Sequence, residues 1–144
     1  MFDFVIASVH SRFTMPEDEM TKRIINAIKN PYTTILGHPT GRLLLAREPY
    51  NVNLKEVLKA AKDHGVVVEL NSNPQRLDLD WRWCKVAREM GIKIVIGPDA
   101  HNIDGIADVS FGVDIARKGW LGPEDVINTL DVEEMKRFLK KAKV

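Results

Sequence analysis

From Phe4 to Ile96 the chain alternates short, β-branched apolar runs with stripes of apolar residues at helical spacing. Phe4 to Val9 is apolar without strict alternation, which predicts a strand buried on both faces. Thr14-Met15-Pro16-Glu17 then offers a capping box with a proline near the first helical position, and Met20, Ile24, Ala27 and Ile28 follow on one face. Thr33 to Gly37, Val66 to Leu70 and Ile92 to Ile96 predict three further strands. The helices between them are marked by Leu54, Val57, Leu58 and Ala61 behind the N-cap candidate Asn53, and by a stretch from about Asp80 to Met90. Strand and helix in alternation imply a parallel sheet, either doubly wound or rolled into a barrel.

Beyond Ile96 the order is less regular. Asn102 to Gly105 is turn-rich, Val109 to Val113 predicts a short strand, and Pro123 opens a short helix. A final helix is signalled by a capping box at Asp131 and Glu134, with Val132, Met135, Leu139 and Ala142 along one face. The 144 residues suit a single domain with a core of its own. No run approaches the roughly 20 apolar residues of a membrane span, so no membrane partner is expected. The single cysteine, Cys84, can form no internal disulfide and fits a reducing compartment, the cytoplasm. A net charge of +1 supplies no global field for nucleic acid, so such a partner has to be argued from local residues.

In either parallel architecture ligands gather at the carboxyl ends of the strands. The residues found there are His10 after the first strand, His38 after the second, Asn71 and Asn73 after the third, and Asp99 with His101 after the fourth. Three of the four histidines thus fall just past three different strands. Imidazole and carboxylate without thiolate suit zinc, manganese or iron, and paired metals serve to activate water and neutralise a phosphate ester. Each residue also has a structural reading: His10 as a hydrogen-bonded core histidine, His38 as part of a turn before Pro39, Asp99 as a helix cap. His64, before Gly65, belongs at a helix C-terminus. Glu69 lies inside an apolar strand and requires a partner or a place facing the site. Arg12, Arg42, Arg47 and Arg76 lie on the same edge, either as phosphate contacts or as solvated loop residues, whereas Trp81, Trp83 and Trp120 read as helix packing.

The stretches "ASVHSRF", "LGHPTGRLL", "VELNSNPQRLDLDW" and "GPDAHNIDGIADVSFGVDIARKGWL" resemble, in order and from about Phe4 to Asn128, the polymerase and histidinol phosphatase (PHP) domain carried by bacterial and archaeal family X DNA polymerases. The resemblance implies part of a distorted seven-stranded (β/α) barrel, here with about four to five parallel strands and flanking helices. It further implies a metal-dependent phosphoesterase acting as a 3′–5′ exonuclease on DNA ends through the phosphate backbone. Carried over residue by residue, it makes His10, His38, Asp99 and His101 metal ligands for manganese or zinc, or iron, with Asp99 and His101 catalytic. Arg42 becomes a catalytic phosphate contact, and Asn71 and Arg76 line the substrate site.

The family's His-x-His pair, two further histidines and a bridging glutamate have no counterpart in this sequence. Residues 1–144 are therefore expected to be a C-terminal part of such a domain. The full trinuclear cluster is not expected within this chain alone, although one ion could bind weakly through His10 and His38. An open strand edge is expected to take up the missing N-terminal half or a second copy of the chain. The competing expectations are a non-catalytic remnant and a small-molecule phosphatase of the histidinol phosphate type.

Overall fold

The structure is a computed structural model and describes residues 2–141, so Ala142 of the expected final stripe lies outside the described residues. Four strands, β1 (Ile6–Ala7), β2 (Ile35–Leu36), β3 (Val67–Asn71) and β4 (Ile94–Gly97), form one parallel sheet in the order β1-β2-β3-β4. The helices are α1 (Glu17–Ile28), α2 (Leu54–Asp63), α3 (Trp81–Glu89), α4 (Val109–Lys118) and α5 (Val132–Lys141), with 3-10 turns at Asp104–Asp108, Pro123–Asp125 and Ile127–Thr129. The strand order never reverses. A doubly wound sheet reverses its order at a switch point, and no such reversal occurs among these four strands. Beyond β4 a single parallel bridge, Ile94 to Val126, is all that stands for a fifth strand, and among the described residues β1 and β4 do not meet.

Alternation along the strands divides the core in two. Leu36, Val68, Leu70, Ile94 and Ile96 pack with Met20, Ile24 and Ile28 of α1, Val57, Leu58 and Ala61 of α2, and Cys84 and Ala87 of α3. On the opposite face Ile35 and Val67 pack with Ile127, Leu130, Met135 and Phe138, so the C-terminal segment covers the lower part of that face. All five residues of β3 are buried, as a central strand between two layers requires.

Caps set several helix starts. Asn53 accepts from Glu56 N–H at α2, Asp80 accepts from Arg82 N–H at α3, and Asp131 and Glu134 form the reciprocal box at α5. The box expected at Thr14 and Glu17 is not made. The helix begins at Glu17 with Pro16 at the N-cap, whose ring offers no side-chain acceptor. The strand expected at Val109 to Val113 is the first half of α4. A Cβ at Gly112 would stand 2.4 Å from Ile96 Cγ2 and 2.6 Å from Ser72 Cβ, so this helix lies directly against the ends of β3 and β4. Among the described residues no helix is long and apolar enough to cross a membrane.

Candidate functional site

The parallel order brings the segments that follow all four strands to one rim. His10, after β1, and His38, after β2, stand with ring centroids 4.9 Å apart and planes at 90°. The Ser8 hydroxyl is 2.7 Å from His10 Nε2. His38 is buried, and its Nδ1 has no hydrogen-bond partner. Burial first, then the charge of Arg76, lowers the His38 pKa, so its imidazole is neutral near pH 7 with a nitrogen lone pair available.

Bonded to the His38 backbone is Glu69 of β3. Gly97, at the end of β4, leaves its carboxylate room: a Cβ there would be 2.9 Å from Oε1, whereas one at Gly37, just past β2, would be at ordinary contact with Oε2, 3.5 Å. Oε2 accepts the His38 N–H at 2.6 Å and an Asn71 side-chain N–H at 3.3 Å. Burial pushes the Glu69 carboxyl up to about 7 against the pull of those two hydrogen bonds.

Asn71 carries the connection across to β4, since its Nδ2 also donates to Asp99 Oδ2 at 3.3 Å. The same Asp99 oxygen is 3.6 Å from Arg76 Nε. His101 Nδ1 lies 2.7 Å from the Asp99 carbonyl, which can only accept, so that nitrogen carries the proton and Nε2 is left as the acceptor of an exposed ring. His38 and Asp99, both just past strand ends, have positive φ, 28° and 53°, as do Arg12, Leu45, Leu77 and Trp120 elsewhere.

Arg42 holds the segment after β3. Its Nε donates to Arg76 O at 2.8 Å, a terminal nitrogen donates to Leu77 O, and the other lies 3.4 Å from the Asp80 carboxylate. Arg47 donates to Gly41 O and lies 4.1 Å over the Phe13 ring. His64 is the C-cap residue of α2, away from the rim, as the structural reading had it.

Sequence reasoning missed Asp78. It is completely buried, and its carboxylate accepts the N–H groups of Thr40 at 3.0 Å and Gly41 at 2.9 Å. An aspartate in a polar loop gives no sign of burial. The nearest clue was its place between Leu77 and Leu79. Burial raises its carboxyl to about 6, with the Thr40 hydrogen bonds opposing the rise.

The donor types at this rim, two imidazoles and a carboxylate, match a divalent cation, and the orphaned Nδ1 of His38 is the atom such an ion would satisfy. The set is incomplete: among the described residues no group of three His, Cys, Asp or Glu is arranged to hold a metal ion. The residues therefore fit part of a coordination shell.

No family model matches the chain. It is 40% identical over 139 residues to the DNA polymerase/3′-5′ exonuclease PolX of Bacillus subtilis, an alignment of 96% of this chain and 24% of PolX. It is 35% identical to a probable phosphatase of a Thermoanaerobacter species, covering 98% of this chain and 58% of that protein. A probable phosphatase of Caldanaerobacter subterraneus is 32% identical over 96% of this chain and 55% of its own length. The chain thus spans about a quarter of PolX and somewhat over half of these phosphatases.

Proposed function

We propose that the chain, similar over nearly its whole length to PolX and to probable phosphatases, is a segment of a polymerase and histidinol phosphatase (PHP) module, a phosphoesterase acting on the 3′ ends of DNA. The observation that carries this reading is the meeting of His10, His38, Asp99 and Arg76 on one rim of the sheet. The sequential strand order agrees with part of a distorted (β/α) barrel, and the open β1 edge is where another polypeptide would continue it. That polypeptide is the remaining PHP portion or a second copy of this chain.

In this proposal His10, His38, Asp99 and His101 would hold divalent cations together with donors from the added polypeptide. Bound there, the cations would supply Lewis-acid polarisation of the phosphoester. Arg76, already beside Asp99, presents a guanidinium suited to non-bridging phosphate oxygens, and Arg42 orients it by gripping the Arg76 carbonyl. Asn71 lines the site and steadies the Asp99 carboxylate. In hydrolysis water would form the new P–O bond as the P–O3′ bond breaks and would give up a proton while the departing 3′ oxygen gains one from solvent, with His101 Nε2 kept for the cation.

The test is manganese-dependent release of nucleotides from a 3′-recessed primer, using the chain mixed with the remaining PHP portion of a PolX-like protein. His10→Ala and Asp99→Ala are each expected to lower the rate by at least 100-fold and to lower bound manganese. Unchanged rate and metal content would sink the enzyme reading and leave a non-catalytic remnant. The relatives described as probable phosphatases favour a second reading, hydrolysis of a small phosphomonoester. Histidinol phosphate inhibiting primer degradation in the micromolar range would support it.

A further inference from the structure

The four residues His38-Pro39-Thr40-Gly41 leave no backbone polar group unpaired. His38 N–H goes to Glu69, and His38 C=O accepts from Gly41 N–H at 3.0 Å. Pro39 C=O accepts from the buried Tyr50 hydroxyl at 2.8 Å, and Thr40 C=O from Tyr50 N–H at 3.1 Å. The N–H groups of Thr40 and Gly41 go to Asp78, and Gly41 C=O accepts from Arg47. Such complete pairing over-determines the loop, and this is the condition under which a strained φ persists.

Two of those partners are buried carboxylates whose hydrogen bonds reach across the fold: Glu69 lies on β3, and Asp78 lies beyond the loop after it. Burying two carboxylates is unfavourable unless charge-assisted donors compensate, and backbone N–H groups of this loop are chief among those donors. We propose that Glu69 and Asp78 are paired positioning residues, which hold the 38–41 loop so that the His38 imidazole stands beside His10. The role rests on the reading of the rim as the working site. Neither residue is assigned contact with substrate. Asn71 extends the same grip to Asp99, so Glu69 also sets the relation between the candidate ligands that follow β2 and β4.

The test uses the full chain, metal-free and then titrated with manganese alone. In the metal-free protein a short hydrogen bond to a carboxylate shifts the His38 amide proton downfield. In Glu69→Ala that resonance is expected to move upfield with the His38 ring nitrogens, and manganese affinity to fall about 10–100-fold. Glu69→Gln keeps an acceptor for both donors and is expected to restore the amide shift and an affinity within about threefold. Asp78→Ala should move the Thr40 and Gly41 amides, with Asp78→Asn restoring part of the shift. If Glu69→Ala does not fold, Gly97→Ala serves instead, because its Cβ would displace Oε1 and should move the His38 amide. Unmoved resonances in the alanine variants, or equal losses in the alanine and amide variants, overturn the clamp. Absence of manganese binding to the unsubstituted chain overturns the reading of the rim instead, while the metal-free resonances still decide the clamp.

Discussion

At the β4 edge of the sheet Val126 bridges to Ile94, and the Asn128 side chain accepts from Ile96 N–H at 2.8 Å while donating to Ile96 C=O at 2.9 Å. At the β1 edge no strand pairs further among the described residues, and Ile6 is 49% exposed. One side is thus closed by the chain's own C-terminal segment, and the other leaves an apolar strand edge unpaired among the described residues. The difference teaches that the two edges of one parallel sheet are protected unequally among the described residues, by backbone and side-chain pairing at β4 and by neither at β1. An unpaired strand edge is a template that a protein covers or shares.

The contrast can be broken first in the interior beside β4. Ile94 is fully buried, so Ile94→Ala should lower stability by about 2–5 kcal/mol in urea unfolding, against under about 1 kcal/mol for Ile6→Ala. Similar losses at both positions would mean that β1 is covered in solution.

Asp78, which ties the loop after β2 to the segment after β3, gives a pH signature. With its carboxyl raised to about 6 from an ordinary 3.8, the folded state holds that proton more tightly than the unfolded chain does. Its contribution therefore makes stability fall as pH climbs from about 4 to 6 and level off above, by roughly 3 kcal/mol at 1.36 kcal/mol per unit. Asp78→Asn should flatten that slope in unfolding measured at pH 4.5, 6 and 8. An unchanged slope would place the burial penalty elsewhere.

Asn128→Ala strips the β4 edge of its substitute strand and leaves two polar backbone groups of Ile96 without partners. The expected loss is about 1–3 kcal/mol. The smallest effect on stability, within about 0.5 kcal/mol, belongs to Ile6→Lys. That variant should instead abolish association through β1, read as a fall in sedimentation mass or as failure to bind the remaining PHP portion. Association undiminished by Ile6→Lys would move the contact away from this edge.

What was legible in the sequence was whatever depends on nearby residues. The cap at Asn53 and the box at Asp131 and Glu134 need only three or four positions, and they formed as expected, whereas the box at Thr14 and Glu17 did not. The strands gave themselves away by composition, although β1 and β2 pair over only two residues each where runs of six and five were expected. Val109-Ser110-Phe111-Gly112-Val113 misled because it alternates like a strand, while its conformation is decided by how closely Gly112 meets Ser72 and Ile96. At the rim, position after a strand was enough to bring His10 and His38 together. Asp78 was invisible because its partners lie 37 and 38 residues away and are backbone groups that carry no sequence signature.

The slot that holds Glu69 is made of what its neighbours lack. A methyl group at residue 97 would collide with the carboxylate, and one at residue 37 would come within 2.9 Å of Ile6 Cγ2 on the open strand. Positions 37 and 97 are therefore as much a part of the rim's chemistry as any polar group, yet they contribute only vacancy. A survey that ranked residues by the functional groups they carry would pass over both, and a design that filled residue 97 to stiffen the sheet would evict the acid that accepts the His38 N–H.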